Sequence, residues 1–428
     1  MGPPLAAQSE GAQAGVGKNW PAATLAEVEA ILCAPGQPFE METVKIRGVP
    51  TRVWKNALPN LGALARAARA HGDRLFTIYE DERVSYDAWF RATAALAAEF
   101  QRLGISRGDR IALAMRNLPE WPVVFFAATS IGAIITPLNA WWTAGELSYG
   151  LSVSGTRLLV CDAERWERLE PEIAALPVLR DIFVSRAENA LGAKARVLES
   201  VIGRPPDYGD LPEADLPAVA VAPDEDATIF FTSGTSGKPK GAVGAHRNIL
   251  TNILTSAYGA ARSALRRGEA PQPMAHKTGL LVIPLFHVTA CNARMVGAML
   301  AGHTLIFMRK WDTIKAFEII EREKVNSTGG VPTIAWQLLE HPDRGKYDLS
   351  SLEAIAYGGA PSAPELVRKI KSEFGALPGN GWGMTETSAT VTMIAAEDYL
   401  ARPDSCGPAA PVGDLKITDD AGVELPVG

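Results

Sequence analysis

The chain has 428 residues, 42 Lys and Arg against 48 Asp and Glu, a formal net charge of −6 and 47% apolar residues. This profile excludes chain-wide disorder, a collagen-like repeat and a disulfide-stapled mini-protein, and its mild acidity excludes a broad attraction to nucleic acid or anionic lipid. At about 150 residues per domain, the length predicts two to three domains.

Before the first element, residues 1–19 lack the apolar core behind a positive start that a secretory signal needs and read as a flexible tail. Cys33, Cys161, Cys291 and Cys406 form no C-x-x-C pair, and no histidine spacing suits zinc. Reduced thiols and a cytoplasmic location are the expectation. From about Leu75 short β-rich runs alternate with amphipathic segments of helical length. A strand is predicted at Phe76–Tyr79, then a helix whose Trp89, Phe90, Leu96, Phe100 and Leu103 recur at helical spacing up to Gly104. Strands follow at 110–115 and 133–137, with a proline-opened helix at 119–131 between them. The apolar run 123–138 is broken by Thr129, Ser130 and Gly132, so it reads as a buried helix entering a strand and no transmembrane segment is expected. The strand pattern repeats at 157–161 and 181–184. The Pro- and Asp-rich stretch 203–226 reads as a surface connection. A second α/β stretch follows, with strands near 280–283, 304–307, 325–327 and 354–357 and helices starting near Asp312 and Pro332. Continuous apolar strands separated by helices predict parallel sheets covered on both faces. After about Ile394 the helical rhythm fades into short β runs such as 415–418.

The most informative segment runs from Thr228 to Gly241. An apolar strand enters a loop carrying the hydroxyls of Thr232, Ser233, Thr235 and Ser236, the glycines Gly234, Gly237 and Gly241, and Lys238 and Lys240. Glycines let backbone N–H groups close on an anion, hydroxyls add donors, and a lysine adds charge, which suits polyphosphate. The spacing does not fit a Walker A loop, and Pro239 forbids the immediate helix that such a loop feeds.

With these residues in view, TSGTSGKPKG closely resembles the phosphate loop of the adenylate-forming superfamily of acyl-CoA synthetases, luciferases and peptide-synthetase adenylation domains. Residues 357–361 (YGGAP) resemble that superfamily's adenine-side segment and 380–387 (NGWGMTET) its second nucleotide motif. Residues 283–289 (IPLFHVT) resemble its substrate-gating segment, and 405–407 with 412–417 resemble its following β region. The motifs keep the family order over nearly the whole chain.

The resemblance implies two similar parallel-sheet α/β subdomains in five αβαβα layers with a small β-barrel-like unit. The segmentation expected is 20–395 as the adenylate-forming portion, with subdomains of about 75–255 and of 20–74 with 270–390, and 396–428 as a partial β unit. The implied chemistry is attack of a carboxylate on the α-phosphorus of ATP, giving an acyl-adenylate and pyrophosphate. Coenzyme A then displaces AMP. ATP, Mg2+ and coenzyme A are the implied cofactors, and a homodimer stays open because the family includes monomers and dimers. The resemblance assigns the phosphates to Thr232, Ser233, Gly234, Thr235, Ser236, Gly237 and Lys240. It assigns adenine to Gly358, Gly359, Ala360 and Pro361 with Asn380, Gly381, Trp382, Gly383 and Met384, the α-phosphate to Thr385, the metal to Glu386 and the mouth of the acyl pocket to His287. Lys238 reads as solvent-facing. No Ser/His/Asp triad or nucleophilic cysteine is required, because a carboxylate is already nucleophilic.

Peptide-synthetase domains place an aspartate near 285–291 to pair an amino group. None stands there, and an unpaired buried ammonium is costly, so amino acids are disfavoured. Acetyl-CoA synthetases place a tryptophan where Gly383 stands. Glycine predicts a deeper cavity, lined by His287, Ala290, Cys291, Gly383, Met384 and Ala389, and a medium- or long-chain or aryl carboxylic acid. The family continues into a ribose-binding strand, a hinge and a small mobile domain with a lysine needed for adenylation. The chain stops at Gly428 before them, so impaired adenylation by these residues alone is expected. Two other readings stand beside this one: an acyl-AMP ligase that delivers to a carrier protein, and a non-catalytic nucleotide- or acyl-binding module.

Overall fold

Short apolar strands with helices between them assemble into two mixed sheets in the computed structural model, which describes residues 20–189, 191–192, 194–232, 237–271, 275–360 and 362–426. The expected tail, 1–19, lies outside the described residues, as do the predicted site residues Ser233, Gly234, Thr235, Ser236 and Pro361. The first sheet has seven strands in the order Lys240–Ala245, Asp226–Thr232, Ile134–Pro137, Arg110–Ala114, Leu158–Asp162, Asp181–Ser185 and Ala195–Val197. All are parallel except the edge strand Lys240–Ala245. The second sheet has eight, in the order Ala389–Ala395, Leu377–Met384, Ala354–Gly358, Ser327–Gly330, Thr278–Leu281, Thr304–Phe307, Leu75–Tyr79 and Glu82–Ser85, with an antiparallel strand at each edge.

Period-two alternation decides which side chains meet which layer. Ile111, Leu113, Leu158, Val160 and Phe183 of the first sheet point into the same central core as Phe76, Leu305 and Phe307 of the second. Their neighbours Ala112, Leu159, Cys161 and Ile182 face outward against helices Ala144–Val153 and Ala163–Leu169. On the far side Ile78, Ile306 and Ile355 pack against helices Thr313–Glu323, Pro332–Glu340 and Pro364–Phe374. Between the sheets lie helices Leu61–Arg69, Tyr86–Arg102, Glu120–Ser130 and His246–Arg266. These are the five αβαβα layers. Helix Glu120–Ser130 is buried on every face, as its unbroken apolar run requires. Helix Tyr86–Arg102 starts at an N-cap Ser85, whose hydroxyl accepts from Ala88 N–H, and gives way to Gly104 at φ 77°.

The strands of 75–85 were expected with the first block, but they pair in the second sheet beside Thr304–Phe307. That pairing spans more than two hundred residues of chain, beyond the reach of any local pattern. Beyond helix Ala396–Ala401 the expected β-barrel-like unit is represented, among the described residues, by two isolated bridges, Thr392 to Ala409 and Thr418 to Glu424. Leu415, Ile417, Val423 and Leu425 there stay exposed, so the alternating pattern has no facing sheet to bury it. No helix among the described residues is long and apolar enough to cross a membrane. All four cysteines are free; Cys161 and Cys291 are buried, Cys33 is half-buried and Cys406 is exposed.

Candidate active site

Of the sequence-predicted residues, Thr232, Gly358 and Met384 stand at the carboxyl ends of strands Asp226–Thr232, Ala354–Gly358 and Leu377–Met384, where α/β sheets bind ligands. Strand Asp226–Thr232 ends at Thr232, whose hydroxyl donates weakly to the Lys240 carbonyl, 3.4 Å away, across the register pair Thr232–Lys240. Gly237 is exposed at φ 115°, a conformation that a side chain would strain. Tyr149 braces the returning strand by donating from its hydroxyl to the Pro239 carbonyl at 3.2 Å. Lys240 is exposed. Lys238, expected to face solvent only, carries its ammonium over the Tyr149 ring at 5.0 Å.

On the second sheet, strands Ala354–Gly358 and Leu377–Met384 run side by side with Gly358 opposite Gly381. A Cβ on Gly358 would stand 2.9 Å from the Gly381 carbonyl oxygen, so the backbone pairing itself requires glycine and leaves a flat, side-chain-free ledge. Gly359 and Ala360 continue it, both exposed, and Asn380 and Gly381 are half-buried beside it. Trp382 is 42% exposed, far from the core tryptophan it would be without a site, and Met384 is exposed beside it. The following turn, Thr385–Thr387, is closed by Thr387, whose hydroxyl accepts from Met384 N–H at 2.9 Å. Thr385 is half-buried and its hydroxyl has no partner among the described residues; Glu386 is exposed and forms no ion pair among them. An exposed carboxylate with no ion pair among the described residues suits a hard cation, which takes oxygen ligands, so Glu386 fits the magnesium that the motif implies.

Two buried asparagines hold this turn from below. Asn292 Nδ2 donates to the Ser388 carbonyl at 3.2 Å and Asn252 Nδ2 to the Thr390 carbonyl at 3.1 Å. They restrain a backbone that turns sharply, with Ser388 at φ 57° and Ala389 at φ 108°. Gly383 belongs to the same device. Its Cβ would lie 1.5 Å from the Ala389 carbonyl oxygen, where the antiparallel register shifts between Trp382 and Gly383. The glycine therefore answers to the bulge; the depth of an acyl cavity, which the sequence reading invoked, is not what demands it.

His287 lies exposed on the loop after strand Thr278–Leu281, its ring 4.7 Å from Phe286 and 6.5 Å from Trp141. The apolar walls around it desolvate the imidazolium and lower its pKa. Asn117 fixes this loop from the other sheet: its Nδ2 donates to the Ile283 carbonyl at 3.0 Å and its Oδ1 accepts from Leu285 N–H at 2.8 Å. Trp141 is exposed, edge-on to Phe286 at 5.2 Å, with the Arg116 guanidinium 5.4 Å from its ring. Sequence reading missed Asn117, Arg116 and Trp141. Their signal was position: each lies just beyond the carboxyl end of a predicted strand.

A cavity of about 270 Å³ lies between helix His246–Arg266, the helical segment Thr289–Ala301 and the strands Thr278–Leu281, Thr304–Phe307 and Ser327–Gly330. Its upper wall includes Ile283 and Gly329, at the strand ends that carry the site. None of the residues proposed from sequence as acyl lining, His287, Ala290, Cys291, Gly383, Met384 or Ala389, lines it. Ala290 and Cys291 are fully buried in the central core instead, and Ala293, Arg294 and Gly297 of the same helical segment face the cavity. The segment begins as a π-helix, Thr289–Met295, whose wider turn sets Ala293 and Arg294 on the cavity wall and Ala290 and Cys291 in the core, an orientation that small size alone does not predict. No aspartate or glutamate lines the cavity among the described residues.

Comparison with known proteins adds four findings. The family model described as AMP-binding enzyme matches residues 64–428. The curated relative 4-coumarate–CoA ligase CCL1 of Humulus lupulus is 30% identical over 347 residues, which is 77% of this chain and 58% of the relative, so the chain spans less than two thirds of that protein's length. Among solved structures, the inhibitor-bound N-terminal domain of FACL13 from Mycobacterium tuberculosis superposes with a TM-score of 0.73 at 26% identity, covering 86% of each chain. The anthranilate CoA ligase AuaEII in complex with anthranoyl-AMP shares the fold, at TM-score 0.75 and 20% identity over 87% of this chain and 68% of that one.

Proposed function

The chain belongs to the AMP-binding enzyme family, and from that premise we propose that it binds ATP and a carboxylic acid with an apolar body, aryl or medium- to long-chain, for activation to an acyl-adenylate and transfer to coenzyme A. The observation that carries this reading is the glycine ledge at Gly358 on the strand pair that leads to Thr385 and Glu386, whose hydroxyl and carboxylate have no partner among the described residues, above a cavity with no acidic residue in its described lining. The relatives named as CoA ligases support the same chemistry. The proposal takes 20–395 as one adenylate-forming unit.

Adenine lies on Gly358, Gly359 and Ala360 beneath Trp382, with Asn380 and Gly381 at its edge. Thr232, Gly237 and Lys240 hold the phosphates, Thr385 donates to the α-phosphate, and Glu386 holds magnesium, which when bound offsets polyphosphate charge. The acid enters past His287, and its carboxylate oxygen forms a bond to the α-phosphorus while the bond to pyrophosphate breaks. A thiol then forms the thioester and releases AMP. The chain's share of the first step is orientation and charge stabilisation. Because the apolar groups around its ring lower its pKa, His287 is neutral at the pocket mouth near pH 7 and does not trap the incoming carboxylate in an ion pair.

The test is equilibrium binding of acyl-sulfamoyl-adenosines, stable mimics of the adenylate, with a matched set of aryl, aliphatic and aminoacyl groups. The reading predicts saturable binding of aryl and aliphatic mimics and much weaker binding of aminoacyl ones. Equal binding of the aminoacyl mimics, or none by any, would overturn it.

A further inference from the structure

We propose that the cavity beneath the site takes an acid whose apolar body carries a second carboxylate, received by Arg294. This rests on the reading above and narrows its substrate class.

Arg294 projects from the π-helical segment into the cavity wall, where its Nη2 would stand 3.2 Å from a Cβ on Gly329. Its one hydrogen bond among the described residues runs from Nη2 to the Ala356 carbonyl at 3.5 Å, the outer limit of such a contact. It forms no ion pair among them. Desolvation alone pulls its pKa down, with no neighbouring carboxylate to offset the effect. A guanidinium keeps its proton even so, which leaves a charged fork of five N–H donors with a single marginal acceptor among the described residues, in a chamber whose described lining has no carboxylate.

The other basic groups on the wall are already answered. Lys277 is paired with Glu353. His303 accepts from Lys277 N–H at 3.2 Å, and burial lowers its pKa to about 4, so it is neutral. The hydroxyls of Ser256 and Thr328 donate to the carbonyls of Asn252 and Leu280. The cavity thus holds one uncompensated positive charge and no acidic residue. Burying such a charge is costly unless it is paired, and a carboxylate matches the guanidinium fork in a bidentate manner. Position agrees: Ala356 lies two strand residues, about 7 Å, below Gly358 of the nucleotide ledge, so an acid activated above extends its far end toward Arg294.

The experiment compares sulfamoyl-adenosine probes in carbon-matched pairs: succinyl with butanoyl, adipoyl with hexanoyl, and suberoyl with octanoyl. Binding is measured by calorimetry on the wild type, Arg294→Met and Arg294→Lys. The carboxylate-ended member should bind at least about tenfold tighter in at least one pair. Arg294→Met should erase that preference while leaving AMP binding unchanged, and Arg294→Lys should keep part of it. Equal or tighter binding of the methyl-ended member at every length, or a preference that survives Arg294→Met, would overturn the assignment while leaving the adenylate reading intact. If no probe of either kind binds, both fall together. The wild-type comparison decides the question even where a variant fails to fold.

Discussion

Leu285 N–H donates to Asn117 Oδ1 at 2.8 Å, and this bond ties the loop that carries His287 to the end of a strand in the other sheet. Both residues are buried, and Asn117 Nδ2 completes the staple on the Ile283 carbonyl. Replacing Asn117 with Ala leaves a buried N–H and a carbonyl unpaired, which should cost about 1–3 kcal/mol of stability. Urea unfolding measures that loss. AMP binding should hold while binding of the acyl-adenylate mimics weakens, because the loop guides the acid and not the nucleotide. An unchanged midpoint with unchanged acyl binding would remove Asn117 from the site.

Gly383 offers a steric test. Since a Cβ there meets the Ala389 carbonyl at 1.5 Å, Gly383→Ala must push apart strands Leu377–Met384 and Ala389–Ala395 and distort the Thr385–Thr387 turn. Nucleotide binding should be lost and the melting temperature should fall. Gly145→Ala is the control, because nothing lies within 4 Å of the Cβ on that helix. It should be neutral or stabilising by up to about 1 kcal/mol.

A third expectation concerns acid. His246 is fully buried, its Nδ1 accepts from Leu61 N–H at 3.2 Å, and burial lowers its pKa to about 4. The unfolded chain takes up this proton near pH 6.5, so between those values the unfolded state binds more protons and stability falls with falling pH. The loss is absent above about pH 6.5 and approaches about 3 kcal/mol near pH 4. Denaturant midpoints between pH 4 and 7 should show this slope, and His246→Asn, which retains an acceptor, should flatten it. A slope unchanged in the variant would assign the acid sensitivity elsewhere.

Those elements whose information is local were legible in the sequence. The apolar runs at 110–115, 157–161 and 304–307 announced buried parallel strands, and Gly104 marked the end of helix Tyr86–Arg102. The segments 357–361 and 380–387 were marked only by their resemblance to family motifs, and the structure adds that the pairing of Gly358 with Gly381 leaves no room for a side chain. What escaped was non-local or turned on a single residue of register. Strands Leu75–Tyr79 and Glu82–Ser85 join a sheet whose other strands begin about two hundred residues later. Ala290 and Cys291 were expected in the lining for their small, apolar side chains, a property that Ala293 and Gly297 share, and only the π-turn decides which of them meets the cavity. Gly383 looked like room for a ligand and proved to be room for a backbone carbonyl.

Trp382 tests the central claim most directly, because its exposure separates binding from folding. Affinity for ATP with magnesium is compared by calorimetry between the wild type and Trp382→Ala. Stacking of a base on an aromatic ring is worth about 1–3 kcal/mol, so the account predicts roughly tenfold or greater weakening with a melting temperature almost unmoved. Equal affinity in the two proteins, or no saturable binding by the wild type, would contradict it.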